Sequence, residues 1–350
     1  PERRHRGLPV AACARHGGGR AVAVAMATAA CTTLTRPLPE DPGRELTSVP
    51  FFPQTIHQCG PAALATVLGA SGLATTPEQL APLVYIPGRR GSLQVEMLAA
   101  ARSQGRLAYV LEPDFAALTA ELAAGNPVLV LQDLGALGIH LWHFAAVVGY
   151  DPDRELVILR SGTERRRLEP QRRFLRSWSG GKHWAAVITP PDRPAATASG
   201  AGFIRALSAT ERYLSQEALG AAHAAALARW PAEPLVLLAS GNQAYATGHL
   251  TDAIARYREL LDVESGNIAG RNNLATALLD SGCTAAALRE AREAHALVPA
   301  SGGRPPIRFS VPRERRTRFS RCFQITRAQV AVAVATTGIG RPVRRSALLS

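Results

Sequence analysis

The segment Gln58-Cys59-Gly60-Pro61, running into Ala62-Ala63-Leu64-Ala65-Thr66-Val67-Leu68, dictates where one helix must begin. Proline has its φ locked near the helical value and no N–H to lose, so it suits the first helical turn and little else in a helix. The small residues after it continue that helix. Cys59 then sits at a helix N-terminus, where unpaired N–H groups and the positive end of the macrodipole favour a thiolate. Gln54, five residues upstream, supplies an amide donor for the oxyanion that forms when such a thiolate attacks a carbonyl. A lone cysteine is as a rule a small buried hydrophobe, so the catalytic reading needs a base.

The chain has nine histidines. His143 is the best placed, near the start of Trp142-His143-Phe144-Ala145-Ala146-Val147-Val148-Gly149-Tyr150, an apolar run rich in strand formers. His140 is the local competitor, in the Gly-rich stretch just before that run. A cysteine at a helix start, followed 84 residues later by a histidine at a strand start, is the order expected of a papain-like cysteine peptidase. Further segments carry a closer likeness: Pro50-Phe51-Phe52-Pro53-Gln54, Gln58 through Leu64, Gly91-Ser92-Leu93-Gln94-Val95-Glu96-Met97, Trp142-His143-Phe144 and Leu159-Arg160-Ser161-Gly162. With these motifs in this order, residues 50–190 resemble the C39-like cysteine peptidases, the papain-like group that includes the double-glycine leader peptidases of bacteriocin exporters. More closely, the chain resembles bacterial proteins that join such a domain to tetratricopeptide repeats, the PA2778-like cysteine peptidase family. The resemblance implies an α+β papain-like fold, with Cys59 as nucleophile, His143 as general base and acid, and Gln54 as oxyanion donor.

A Cys-His pair is usually completed by an Asp or Asn that orients the imidazole. Asp151 follows His143 closely, yet eight residues of strand span ~26 Å at ~3.3 Å each, which puts the two at opposite ends. Asp151-Pro152-Asp153-Arg154 reads as a turn that returns the chain through Glu155–Arg160. That hairpin brings Arg160, Ser161 or Gly162 opposite His143. The family pattern carries its orienting Asp on the returning strand, where this chain has Ser161 instead. Ser161, a backbone carbonyl or a remote group such as Asp133 is then left to orient His143, and Ser161 is the candidate taken.

The second half is organised by repetition. Ala244 through Tyr257 fits the Ala-x3-aromatic core of a tetratricopeptide repeat, and a shift of 34 residues carries Gly248 to Gly282 and Ala253 to Ala287. Residues 203–233, 234–267 and 268–299 are read as three such repeats, the first degenerate. Stacked helix pairs of this kind make a groove for a peptide or a protein partner. The expected organisation is therefore a leader and tether over 1–48, an α+β papain-like peptidase domain over 49–190 and a Pro/Ala/Ser/Gly-rich linker over 191–202. An all-α tetratricopeptide-repeat domain over 203–300 follows, then an Arg-rich tail over 301–350 that is disordered or the product of a reading-frame slip.

Composition narrows the function classes. Apolar residues make up 47% of the chain, which excludes both a disordered protein and a polytopic membrane protein. The net charge of +13 sits at the termini: residues 1–36 hold six Arg and one Glu, residues 301–350 eleven Arg and one Glu, which leaves −2 for the body between. A near-neutral body carries no nucleic-acid footprint. The five cysteines (13, 31, 59, 283 and 322) show no CxxC spacing, so no metal site and no cofactor is expected. Ala21 through Ala30, preceded by Arg15 and Arg20 and followed by Cys31, reads as an export signal with a lipoprotein-type cleavage site. On that reading Cys31 is lipidated and the protein is membrane-attached in the periplasm or cell envelope. The expected function is peptide-bond hydrolysis of a peptide or protein substrate. The alternative is a peptidase-fold adaptor that acts through its repeats.

Overall fold

The computed structural model describes residues 45–54 and 58–297. The expected leader with Cys31, the Arg-rich tail from 301 and residues 55–57 of the Gln54–Pro61 segment lie outside the described residues. Helix α1 (Cys59–Ala70) begins with Cys59 and has Pro61 in its first turn. Helix α2 (Pro77–Val84) opens on a capping box. Its Thr76 hydroxyl accepts from the Gln79 N–H, the Gln79 side chain accepts from the Thr76 N–H, and Pro77 takes the first helical position. Helix α3 (Gln94–Ser103) completes the N-terminal group of helices.

The remainder of this region alternates strands and helices: β1 (Leu107–Val110), α4 (Phe115–Ala123), β2 (Val128–Asp133), β3 (Trp142–Asp151), β4 (Leu156–Ser161), β5 (Glu164–Pro170), α5 (Gln171–Gly180) and β6 (Ala185–Thr189). The strands form one antiparallel six-stranded sheet in the order β1-β6-β2-β3-β4-β5. Strand β2 shows why the centre of the sheet reads as an unbroken apolar run. Val128 and Val130 face one core while Leu129 and Leu131 face another, so both faces are buried. One face packs on α1, α2 and α3 through Leu64, Leu68, Leu80 and Met97. The other packs on α4 and α5 through Leu118, Phe174 and Trp178. The β3–β4 turn falls at the expected Asp151–Arg154, closed by the Arg154 N–H donating to Asp151 Oδ1 at 3.1 Å.

The C-terminal region is all helical: α6 (Gly200–Thr210), α7 (Gln216–Arg229), α8 (Pro234–Ala246), α9 (Leu250–Val263), α10 (Ile268–Asp280) and α11 (Thr284–Ala296). First helices of successive pairs begin at Gly200, Pro234 and Ile268, second helices at Gln216, Leu250 and Thr284, so both series advance by 34 residues. The tight links inside the later pairs use Gly248 and Gly282, both with φ above +80°, a conformation that costs a side-chain-bearing residue about 1 kcal/mol.

The junction differs from expectation. Residues 191–202 do not behave as a free linker, because the buried Glu121 carboxylate of α4 accepts from the Ala196 and Thr197 N–H groups at 3.0 and 2.7 Å. Phe203, Ile204 and Leu207 of α6 and Leu219 of α7 join the core beneath the sheet. The first helix pair is therefore part of the sheet's own packing. The later helices share a further core, around Tyr257, Leu274 and Ala291, while Val236 of α8 still packs with the first. Among the described residues no helix is long and apolar enough to cross a membrane.

Candidate active site

Cys59 and His143 line one cleft of about 910 Å³, with Gln54, Ser92 and Trp142 among its other walls. Cys59 enters it as the first residue of α1, partly buried against the core that includes Phe144 of β3. Burial raises the pKa of its thiol, and backbone hydrogen bonds at Phe144, Gly60 and Cys59 itself oppose that rise without cancelling it. A thiolate at rest, expected from the helix start alone, is thus not the form this site favours. Desolvation outweighs the N–H donors.

His143 is the second residue of β3, and its Nε2 lies 2.8 Å from Ser161 Oγ at the end of β4. The register explains the contact. Ala146 pairs with Arg160 and a bulge between Val147 and Gly149 shifts the ladder, so the hydroxyl of the last β4 residue reaches back to the start of β3. Burial first, and the Arg167 charge second, lower the imidazole pKa from 6.5 to about 4. The ring is therefore neutral at pH 7.

The other acids weighed for orienting His143 lie elsewhere. Asp151 is at the far end of β3, paired with Leu156. Asp133 accepts from the N–H groups of Gly135 and Leu141 at 3.0 and 2.9 Å, and its second oxygen lies 2.6 Å from His140 Nδ1. It organises the β2–β3 loop and holds His140, the local competitor, at the cleft mouth with its ring stacked on Trp142.

Gln54 is fixed through both ends of its amide. Its Oε1 accepts from the Gly162 N–H at 2.8 Å, its Nε2 donates to the Phe144 carbonyl at 3.2 Å, and its own N–H donates to the Gly162 carbonyl at 2.9 Å. Nε2 carries two hydrogens, so one remains after the Phe144 bond. Gly162 adopts φ +61° in the β4–β5 turn, next to Ser161. One tight turn thus holds both the imidazole and the amide.

Sequence reasoning passed over several of these contributors. Sequence places Gly162 opposite His143 but not against Gln54; a glycine between two short strands is the signal for such a turn. Ser92 stands in a motif, and its hydroxyl packs so closely on Gly60 that a Cβ at position 60 would lie 2.2 Å from its oxygen. That oxygen is buried with no hydrogen-bond partner among the described residues. Arg167 has no sequence signal, because it acts on His143 only through its charge, from the edge strand β5. Among the described residues no group of three His, Cys, Asp or Glu side chains is placed to hold a metal ion.

A thiol and a desolvated imidazole on one cleft, with a clamped amide beside them, make a layout suited to thiol-dependent acyl hydrolysis. Residues 46–183 match the model of the Peptidase_C39 like family, and over that stretch the fold is α+β with an antiparallel sheet. No curated protein matches the chain. Among solved structures, the chain is similar to a protein from Bacillus anthracis described as a C39-like peptidase, at 17% identity over 44% of this chain and 100% of that one, with a TM-score of 0.37. It is also similar to the peptidase domain of Streptococcus ComA, a bifunctional ABC transporter involved in a quorum-sensing pathway, at 19% identity over 41% of this chain and 98% of that one, with a TM-score of 0.34.

Proposed function

We propose that the chain is a cysteine peptidase in which Cys59 is the nucleophile, His143 the general base and acid, Gln54 the oxyanion donor and Ser161 the residue that orients His143. The observation that carries the reading is the bond from His143 Nε2 to Ser161 Oγ in the cleft that Cys59 also lines. When Nε2–H donates to the Ser161 oxygen, Nδ1 keeps a lone pair for the thiol proton. Nδ1 takes that proton as Sγ attacks the peptide carbonyl, and the free hydrogen on Gln54 Nε2 is available to the oxyanion. The imidazolium then protonates the leaving amine, and water attacks the thioester to release the acid and restore the thiol.

The neutral form of both groups at pH 7 makes His143 a base that acts on the thiol during attack, in place of a preformed ion pair. The C-terminal helix pairs, read as tetratricopeptide repeats, would hold a substrate or a protein partner. The leader reading places the enzyme in the cell envelope, attached through a lipidated Cys31. A second reading, an adaptor on a peptidase fold, draws on Ser161 in place of a carboxylate and on the low pKa of His143.

Hydrolysis of a quenched-fluorescent peptide mixture decides between them. Cys59→Ala and His143→Ala should each lower the rate by at least about 10³-fold while keeping the thermal midpoint within a few degrees. Equal rates in wild type and both variants would remove the peptidase reading.

A further inference from the structure

Among the described residues, the walls of the cleft carry cations and no carboxylate. Arg89 and Arg90 come from the loop between α2 and α3, and Lys182 from the loop between α5 and β6. All three are exposed, and none is ion-paired among the described residues. The body from 37 to 300 is slightly acidic, at −2, so an all-cationic cleft is not a by-product of an Arg-rich chain.

Two carboxylates beyond the lining are already engaged. Asp133 at the mouth is held by two backbone N–H groups and His140, and Glu164 lies 3.5 Å from Arg167. Two of the cations also sit where the backbone resists them. Arg90 and Lys182 have φ of 50° and 56°, a left-handed conformation that Gly or Asn adopts more readily. Ser92, which lines the same cleft and packs on Gly60 beside Cys59, has a buried hydroxyl with no hydrogen-bond partner among the described residues.

We propose that this cleft takes acidic peptides, whose Asp or Glu side chains beside the scissile bond are read by Arg89, Arg90 and Lys182. The inference rests on the same cleft being the peptidase site and names its substrate class. A cleft of one sign focuses the field, draws oppositely charged chains in and repels cationic ones. Guanidinium groups add bidentate geometry toward carboxylates. The preference is therefore salt-dependent, since the Debye length falls from about 20 Å at about 0.02 M salt to under about 6 Å at about 0.3 M.

The test uses full-length Cys59→Ala protein, which binds without turnover, and two rhodamine-labelled decapeptide pools that differ only in carrying Glu or Lys at the charged positions. Fluorescence anisotropy should show the Glu pool binding at least about 10-fold tighter at low salt, with the gap shrinking at high salt. Adding Arg89→Glu, Arg90→Glu and Lys182→Glu together should abolish that preference, whereas Arg89→Lys should retain most of it. The basic termini are unchanged in these variants, so a preference that survives the triple reversal belongs outside the cleft and overturns the inference. Equal binding of the two pools, or binding of neither, overturns it as well. Turnover by the Cys59 enzyme is scored separately. Hydrolysis without charge preference defeats the cleft inference alone, and charge-selective binding without any hydrolysis defeats the peptidase reading alone.

Discussion

Two histidines three residues apart line the same cleft and are held in opposite ways. At the mouth, His140 is largely exposed, with its Nδ1 2.6 Å from the Asp133 carboxylate. Inside, His143 is half-buried and its Nε2 meets the neutral hydroxyl of Ser161. The difference follows from solvation. A carboxylate beside an imidazole is inexpensive where water reaches it, whereas burying a carboxylate beside His143 would carry a desolvation penalty of several kcal/mol, on the order of that for any buried ion. The hydroxyl avoids that penalty and leaves His143 neutral, with its pKa lowered to about 4. Geometry at the floor is therefore set by a hydrogen bond, and charge is confined to the rim.

The largest expected effect tests the buried half of this comparison. His143 and His223 of α7, the latter near Ser240 of α8, both have pKa values lowered from 6.5 to about 4, chiefly by burial. Between those values the unfolded chain binds more protons than the folded one. Stability is thus fully present above about pH 6.5 and is lost as pH falls toward 4, by about 3 kcal/mol for each histidine. Urea unfolding at neutral and acid pH measures the loss, and His223→Gln should remove about half of it. A flat profile between these pH values would show that neither ring is desolvated.

A smaller effect tests the partner. Ser161→Asp places a carboxylate against His143 Nε2, which raises the imidazole pKa toward neutrality and improves it as a base. Hydrolysis at pH 7 should rise about 10-fold, and the acid limb of kcat/KM should move up from near pH 4. An unchanged acid limb would mean that another group orients the ring. The smallest effect belongs to the mouth. His140→Ala should change kcat/KM by less than about 3-fold, since His143 is the proposed proton carrier. A loss as large as that of His143→Ala would reverse the assignment of the two histidines.

Much of the site was legible because local chemistry sets it. Pro61 marks the first turn of α1, and Asp151-Pro152-Asp153-Arg154 makes the β3–β4 turn, so hairpin geometry alone sets Ser161 near His143. The remainder depends on groups far apart in the chain. Gln54 is clamped by Gly162, 108 residues away, and no local rule joins them. Desolvation of Cys59 depends on how α1 seats against β3, which a helix-dipole argument cannot see. The 34-residue spacing suggested a separate helical domain, yet α6 and α7 are recruited into the sheet's core. Repetition sets the helices, while packing decides which core they join.

The central claim is that Cys59 is acylated by substrate. Acid-quenching the enzyme within milliseconds of mixing with a peptide ester and mapping the adduct by mass spectrometry tests it directly. The account predicts a thioester on the peptide that contains Cys59, absent in Cys59→Ala and slow to form in His143→Ala. Peptide turnover with no adduct at Cys59, or an adduct only on the exposed Cys283, would contradict it.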